Sequence, residues 1–196
     1  MAKVVADISV SLDGYVTGPH PGLDNGLGDG GEPLHTWAFA GDAVDREILV
    51  AGTEATGVVV MGRRLFDIID GPRGWNDEVG YGAEQAAQPP LLVVTRTPPD
   101  RARLADRTTF VVDGIRSAVA KAVAMAGERA VVIMGGGQTV RTAVEAGVVD
   151  ELHLHLAPLL LGGGTPLWGG GTAPRRLRQI HVRPSATATH LTYRVD

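Results

Sequence analysis

One stretch constrains this chain more than any other: Val131-Val132-Ile133-Met134-Gly135-Gly136-Gly137-Gln138-Thr139-Val140. A β-branched run favours a buried strand, three glycines allow a tight corner, and a helix-like segment follows at once. The first turn of a helix leaves N–H groups without intrahelical partners, so strand, corner and helix start together make an anion site. A second strand end, Val58-Val59-Val60-Met61-Gly62-Arg63-Arg64, runs into glycine and two guanidinium forks that suit phosphate. Either cluster alone is equally a plain turn or helix start. Together they predict a nucleotide-cofactor enzyme, with the two ends of one dinucleotide held at two strand ends.

The rest of the chain supplies the frame. Strands are expected over 3–12, 58–61, 91–95, 109–112 and 131–134, and helices over 42–53, 115–126 and 138–146. In the first strand Val4, Ala6, Ile8, Val10 and Leu12 share one face. From Glu151 the pattern changes: Leu152, Leu154 and Leu156 alternate with His153 and His155, and 177–182 with 187–195 read as a hairpin around Pro184-Ser185. Helices separate the earlier strands but not the last three. The fold class is therefore α/β, a mostly parallel central sheet flanked by helices with antiparallel C-terminal strands, in a single domain over 1–196. The Gly-, Pro- and Asp-rich segment Gly18 to Gly31 holds no regular structure and reads as a lid beside the site; residues 71–90 form a second irregular stretch.

In a parallel sheet the strand C-termini share an edge, and ligands bind there. Val94-Thr95-Arg96 adds a third strand end, so Arg63, Arg64, Thr95 and Arg96 are expected to converge. Such a cluster suits a 2′-phosphate and predicts NADPH over NADH. The fingerprint G-x-G-x-x-G and the P-loop are both absent, which argues against an ordinary Rossmann domain. Asp13, Asp42, Asp45 and Glu47 are candidate proton donors or substrate clamps, although each is also a natural turn former or helix cap. His153 and His155 could be half of a metal site, but no third ligand lies near in sequence, and no metal is expected. A net charge of −4 argues against nucleic-acid and anionic-membrane partners, and the absence of cysteine removes disulfides and thiolate chemistry. With no signal peptide and no apolar run of membrane-spanning length, a cytoplasmic protein is expected.

The ordered set Ser11-Leu12-Asp13-Gly14, Val60-Met61-Gly62-Arg63-Arg64, Val93-Val94-Thr95-Arg96, Met134-Gly135-Gly136-Gly137 and Pro158-Leu159-Leu160-Leu161-Gly162-Gly163-Gly164 resembles the dihydrofolate-reductase-like superfamily over nearly the whole chain. It is most similar to the stand-alone relatives of the C-terminal reductase domain of riboflavin-biosynthesis deaminase-reductases. The resemblance implies an NADPH-dependent reductase acting on a pteridine, a ribosylaminopyrimidine or a similar heterocycle, and a homodimer. Gly62, Arg63 and Arg64 would hold cofactor phosphate and ribose, Thr95 and Arg96 the 2′-phosphate, and Gly135, Gly136, Gly137, Gln138 and Thr139 the pyrophosphate. Leu65 stands where dihydrofolate reductases usually carry a Thr. Trp37 and Asp42 repeat a Trp-then-acid spacing of those enzymes, which makes Asp42 the first candidate for the catalytic acid and Asp13 the second. A second reading is a cofactor-binding protein without turnover, a sensor or degenerate paralogue.

Overall fold

A computed structural model of the chain describes residues 2–82, 88–169 and 173–196. Its centre is an eight-stranded sheet in the order β5-β4-β3-β6-β1-β7-β10-β9. The six strands β5 (Thr108–Val111), β4 (Leu91–Val94), β3 (Thr56–Gly62), β6 (Ala130–Met134), β1 (Val4–Ser11) and β7 (Glu151–Ala157) run parallel. β10 (Thr189–Val195) pairs antiparallel with β7 and with β9 (Leu177–Pro184). The hairpin forms because Ser185 closes its turn, accepting from Thr187 and Ala188 N–H while its own N–H donates to Ala188 O. A small second sheet pairs β2 (Tyr15–Thr17) with β8 (Thr165–Pro166).

Both faces of β3 are buried, so its side chains divide between two apolar clusters. Val58 and Val60 join Leu92, Val131 and Ile133 beneath α4 (Ile115–Ala126) and α5 (Gly137–Glu145), which contribute Ala118, Ala122, Val140 and Ala143. Val59 and Met61 join Leu91 and Val93 on the opposite face, beneath Phe66 and Ile69 of α3 (Arg63–Asp70). This explains the near-continuous apolar run of 58–61: a central parallel strand is covered twice.

On that second face, coverage fails beyond α3. α2 (Ala43–Ala55) has a single buried residue, Asp45, and Ile48, Leu49 and Ala51 border open space rather than the sheet. The sheet below it, at Asp7, Ser9, Val132 and His153, is therefore open to a cleft.

The structure adjusts several expectations. β1 is buried on both faces, and Leu12, expected on its apolar face, lies past the strand end and is 64% exposed. α2 starts at Ala43, with Asp42 as its cap rather than its first residue. The short α1 (Thr36–Ala40) was not expected, and of the two readings of Gly62-Arg63-Arg64 the structure shows a helix start: Leu65, Phe66, Ile68 and Ile69 give α3 an apolar stripe over only eight residues. The segment 18–31 has no helix or strand but is tied across its base, with Gly18 N–H donating to Leu27 O at 2.7 Å and Asp29 N–H to Pro19 O at 2.7 Å.

Candidate active site

The cleft has a volume of about 1880 Å³ and runs from the glycine corners to the inner side of α2. Gly62, Arg63, Arg64, Thr95, Arg96, Gly135, Gly136, Gly137, Gln138 and Thr139 all line it, so residues far apart in sequence meet at one sheet edge. Two adjacent strands make the corner. β3 runs straight into α3 and β6 into α5, and neither helix has a side-chain cap or an acid in its first turn. In α5 the N–H groups of Thr139 and Val140 donate to Gly136 O at 2.9 and 3.2 Å, and those of Gly137 and Gln138 precede these bonds. α2 is the contrast: Asp42 and Asp45 form a reciprocal capping box that consumes its first donors.

The corner leaves room on one side only. A Cβ at Gly62 would stand 2.4 Å from Thr139 Oγ1, so the end of β3 touches the first turn of α5 there. Gly135 takes φ +38, the left-handed region. Gly136 has φ −51, and a Cβ built on it meets nothing within 4 Å, while the residue itself is exposed and lines the cleft. A cradle that only an added side chain would fill, with helix N–H groups and no carboxylate in the first turn, fits a dinucleotide pyrophosphate. The arginines are not equivalent. Arg63 is held by Asp67 at 2.7 Å and by Thr97 O, and Arg64 donates to Pro21 O of the 18–31 segment. Arg96 has no partner among the described residues.

Both acids expected to be catalytic are placed elsewhere. Asp42 accepts from Val44, Asp45 and Ala186 N–H, and Asp13 from Ser11 Oγ at 2.6 Å and from Leu161 and Gly162 N–H. Neither lines the cleft. The Ala186 N–H, with the capping bonds, holds Asp42 below the ordinary carboxylate range, and the Ser11 hydroxyl leads the bonds that do the same for Asp13. Each carboxylate shapes backbone: Asp42 starts α2 and ties it to the β9–β10 turn, and Asp13 ties the end of β1 to the loop after β7.

Asp7, a carboxylate of the sheet itself, does face the cleft, with a side chain 34% exposed. It pairs across the sheet with Met134, the residue before the glycine corner, and with His153. Its Oδ1 lies 3.1 Å from His155 Nε2, and His155 Nδ1 lies 2.6 Å from His190 Nδ1. His190 Nε2 lies 2.8 Å from Asp45 Oδ1, whose other oxygen accepts from Asp42 N–H and Thr187 Oγ1. Trp37 covers this row: its indole stacks on His155 at 3.8 Å between ring centroids and donates to Ser9 Oγ at 2.9 Å. Burial pushes Asp7 up, but the charge and hydrogen bond of His155 with the nearby imidazoles outweigh it and leave it below its ordinary value. Burial likewise opposes ionisation of Asp45, yet its bonds from Ser185, His190, Asp42 and Thr187 bring it down to about 2. Burial lowers His190, partly offset by Asp45, and pushes His35, beside His155, down to about 4.

Neither Asp7 nor His190 stood out in the sequence as a site residue. The signal was the polarity itself: an acid between Ala6 and Ile8 in a β-branched strand is a buried polar group that must find partners. His155, one of the two strand histidines weighed above as ligands, is bonded to Asp7 and His190. No group of three or more His, Asp or Glu placed to hold a metal ion occurs among the described residues.

A mostly parallel sheet whose C-terminal edge carries glycine corners, closed by an antiparallel pair of strands, gives the chain a dihydrofolate-reductase-like fold. Within it the chain belongs to the RibD C-terminal domain family, whose model matches residues 2–191. A protein from Shewanella sp. PV-4 assigned to riboflavin biosynthesis aligns over 100% of this chain and 99% of its own, at 22% identity and TM-score 0.70. A pyrimidine reductase-like protein of Corynebacterium diphtheriae aligns over 100% and 92%, at 16% and 0.63. The Thermotoga maritima diaminohydroxyphosphoribosylaminopyrimidine deaminase/5-amino-6-(5-phosphoribosylamino)uracil reductase is matched over 100% of this chain but 57% of its own, at 12% and 0.63. No curated protein matches the chain. No helix among the described residues is long and apolar enough to cross a membrane.

Proposed function

We propose that the protein is an NADPH-dependent reductase of a small nitrogen heterocycle, a ribosylaminopyrimidine or a pteridine. One observation carries this reading: two neighbouring parallel strands, β3 and β6, each deliver a helix N-terminus without a side-chain cap to the same cleft, beside Arg96, which also lines it. Gly135, Gly136, Gly137 and Gln138 would receive the pyrophosphate, Gly62, Arg63 and Arg64 the adjoining phosphate and ribose, and Thr95 with Arg96 the 2′-phosphate. When bound, the nicotinamide supplies a hydride to an electrophilic C=N or C=O carbon.

The chain's own groups do the rest. Trp37, Ile48, Leu49 and Ala51 border the part of the cleft opposite the glycine corner and would wall a flat heterocycle away from water. Of the cleft-lining carboxylates Asp7, Asp24, Glu32 and Glu54, Asp7 is the one hydrogen-bonded to His155, and it would supply the acid. The names of the aligned pyrimidine and phosphoribosylaminouracil reductases support the substrate class. The test is NADPH absorbance followed with the ribosylaminopyrimidinone of riboflavin synthesis and, separately, with dihydrofolate. Turnover of the first is expected. No oxidation of NADPH with either, by protein shown to bind NADPH, would refute the reductase reading and leave a cofactor-binding protein.

A further inference from the structure

Four ionisable side chains lie in one hydrogen-bonded row, Asp7–His155–His190–Asp45, with links of 3.1, 2.6 and 2.8 Å. The row crosses the sheet from the cleft to the start of α2. Its inner members are shut from solvent: the His155, His190 and Asp45 side chains are 4%, 7% and 0% exposed.

The number of protons in this row follows from the donors each group has. A carboxylate only accepts, and a neutral imidazole carries one N–H and one lone pair. His155 must donate from Nε2 to Asp7 and His190 from Nε2 to Asp45, which uses the single N–H of each neutral ring. The two Nδ1 atoms would then face each other at 2.6 Å, lone pair against lone pair. Three hydrogen bonds need three protons, and two neutral imidazoles bring two. The geometry therefore calls for one more.

We infer that Asp7, His155, His190 and Asp45 form a buried proton store, holding one proton between the two imidazoles and releasing it into the cleft through Asp7. The donation step rests on the reductase reading above. Asp45 keeps the store filled by remaining a carboxylate, fixed by Asp42 N–H and Thr187 Oγ1. In release, the His155 Nε2–H bond breaks as an O–H bond forms on Asp7, while the shared proton settles on His155 Nδ1. All three hydrogen bonds survive this shift, because Asp7 then donates to Nε2. The Asp7 O–H bond next breaks as the proton joins the nitrogen or oxygen of the reduced C=N or C=O, which holds the electron pair left by hydride addition. The row is now one proton short, and water in the cleft refills it through the exposed oxygen of Asp7. In this scheme Asp7 is the proton donor, and His155, His190 and Asp45 are positioning residues.

Other charges around the row bear on its titration. His153 faces Asp7 at 3.9 Å and Glu151 at 3.3 Å. Asp7 is felt by Tyr81 and by His35, and His35 also feels His155. Arg183, paired with Glu47, acts on His190, and Asp42 interacts with Asp45. A second proton on the imidazole pair would put H against H between the Nδ1 atoms and is excluded at this separation. The pair should thus titrate as a unit, one proton for two rings.

The decisive variant is Asp45→Asn. Its amide can donate to His190 Nε2, which turns His190 into the Nδ1–H tautomer. That N–H then donates to His155 Nδ1, and His155 Nε2 still donates to Asp7. All three links persist between neutral rings, and the extra proton has no place. Ring-labelled histidine NMR against pH reads this without turnover. In the wild type His155 and His190 should shift together with uptake of one proton, and in Asp45→Asn that step should vanish. Independent one-proton titrations of the two rings in the wild type would overturn the store, whether or not Asp45→Asn folds.

Turnover gives a second readout. Wild-type kcat should fall as pH rises through the shared titration. Asp45→Asn should lower kcat by ~10²–10⁴, lose that limb and keep its Kd for NADPH. Failure of the wild type to bind NADPH would refute the cofactor reading alone, since the NMR titration stands apart from it. An unchanged kcat and pH limb in Asp45→Asn would refute delivery from this row.

Discussion

Gly136→Val separates a cofactor cradle from a plain turn. The position has φ −51, which valine tolerates, and its Cβ would point into open space. Folding should therefore be little affected: valine is a poorer N-cap than glycine, but it also removes unfolded-chain freedom, and the two effects of ~0.5–1 kcal/mol oppose each other. Binding should suffer. The branched side chain would occupy the space in front of the Gly137 and Gln138 N–H groups. Each charge-assisted contact denied to a pyrophosphate is worth ~1.5 kcal/mol, so losing two weakens binding by ~100-fold or more. The control is Gly135→Ala. Its φ of +38 imposes backbone strain of ~1–2 kcal/mol, a Tm loss of about 2–8 °C for a chain of this size. Calorimetric titration of NADPH and thermal unfolding, run on both variants, give the comparison. Gly136→Val should keep its Tm and lose affinity. A variant that binds NADPH like the wild type would refute the cradle.

Asp42→Asn should leave turnover near wild type and lower Tm less than Asp42→Ala, because asparagine also caps but its amide gives up the bond from Ala186 N–H, whereas Asp42→Ala should lower Tm by about 2–6 °C without a specific loss of kcat; a kcat loss in Asp42→Asn out of proportion to its Tm change would favour Asp42 as the acid. Stability should fall with acid in two stages. His35, held to about 4 against an ordinary 6.5, is protonated first in the unfolded chain, so its contribution is present above pH 6.5 and lost towards about 4; Asp45, held to about 2 against 3.8, contributes above 3.8 and is lost as pH falls through about 2. Urea midpoints against pH check this, and a midpoint that stays constant from pH 6.5 to 4 in the wild type would contradict the His35 term. We further propose a homodimer through the helix-free face of β7, β10 and β9, where Leu154, Leu156 and Tyr193 are only partly buried and Val182 is 46% exposed; light scattering at micromolar concentration should give twice the chain mass, and a monomer mass would rule it out.

What could be read from the sequence was what is local. The β6–α5 corner is written in consecutive residues, β-branched run then glycines then helix, and so is the change to antiparallel strands where helices stop separating them. The alternation of Leu152, Leu154 and Leu156 with His153 and His155 does not say how far each leucine is covered: Leu152 is 1% exposed, and Leu154 and Leu156 pack at the edge of the core. What escaped was long-range. The row Asp7–His155–His190–Asp45 joins residues up to 148 positions apart, and only the sheet register brings them together. An acid opening a helix looks the same in sequence whether it serves a substrate or a cap; Asp42 caps α2, and Asp45, three residues on, is the one that reaches the buried row. The arginines line one edge as a group, but which of them is held by the protein itself depends on Asp67, Thr97 and Pro21, contacts the sequence does not order.

The central claim is that this edge holds a 2′-phosphorylated dinucleotide, and side-by-side titration of NADPH and NADH tests it most directly. One good Arg–phosphate contact implies a preference of ~10–100-fold for NADPH, and Arg96→Ala should abolish most of that preference while leaving NADH affinity as it was. Equal dissociation constants for NADPH and NADH in the wild type would contradict it.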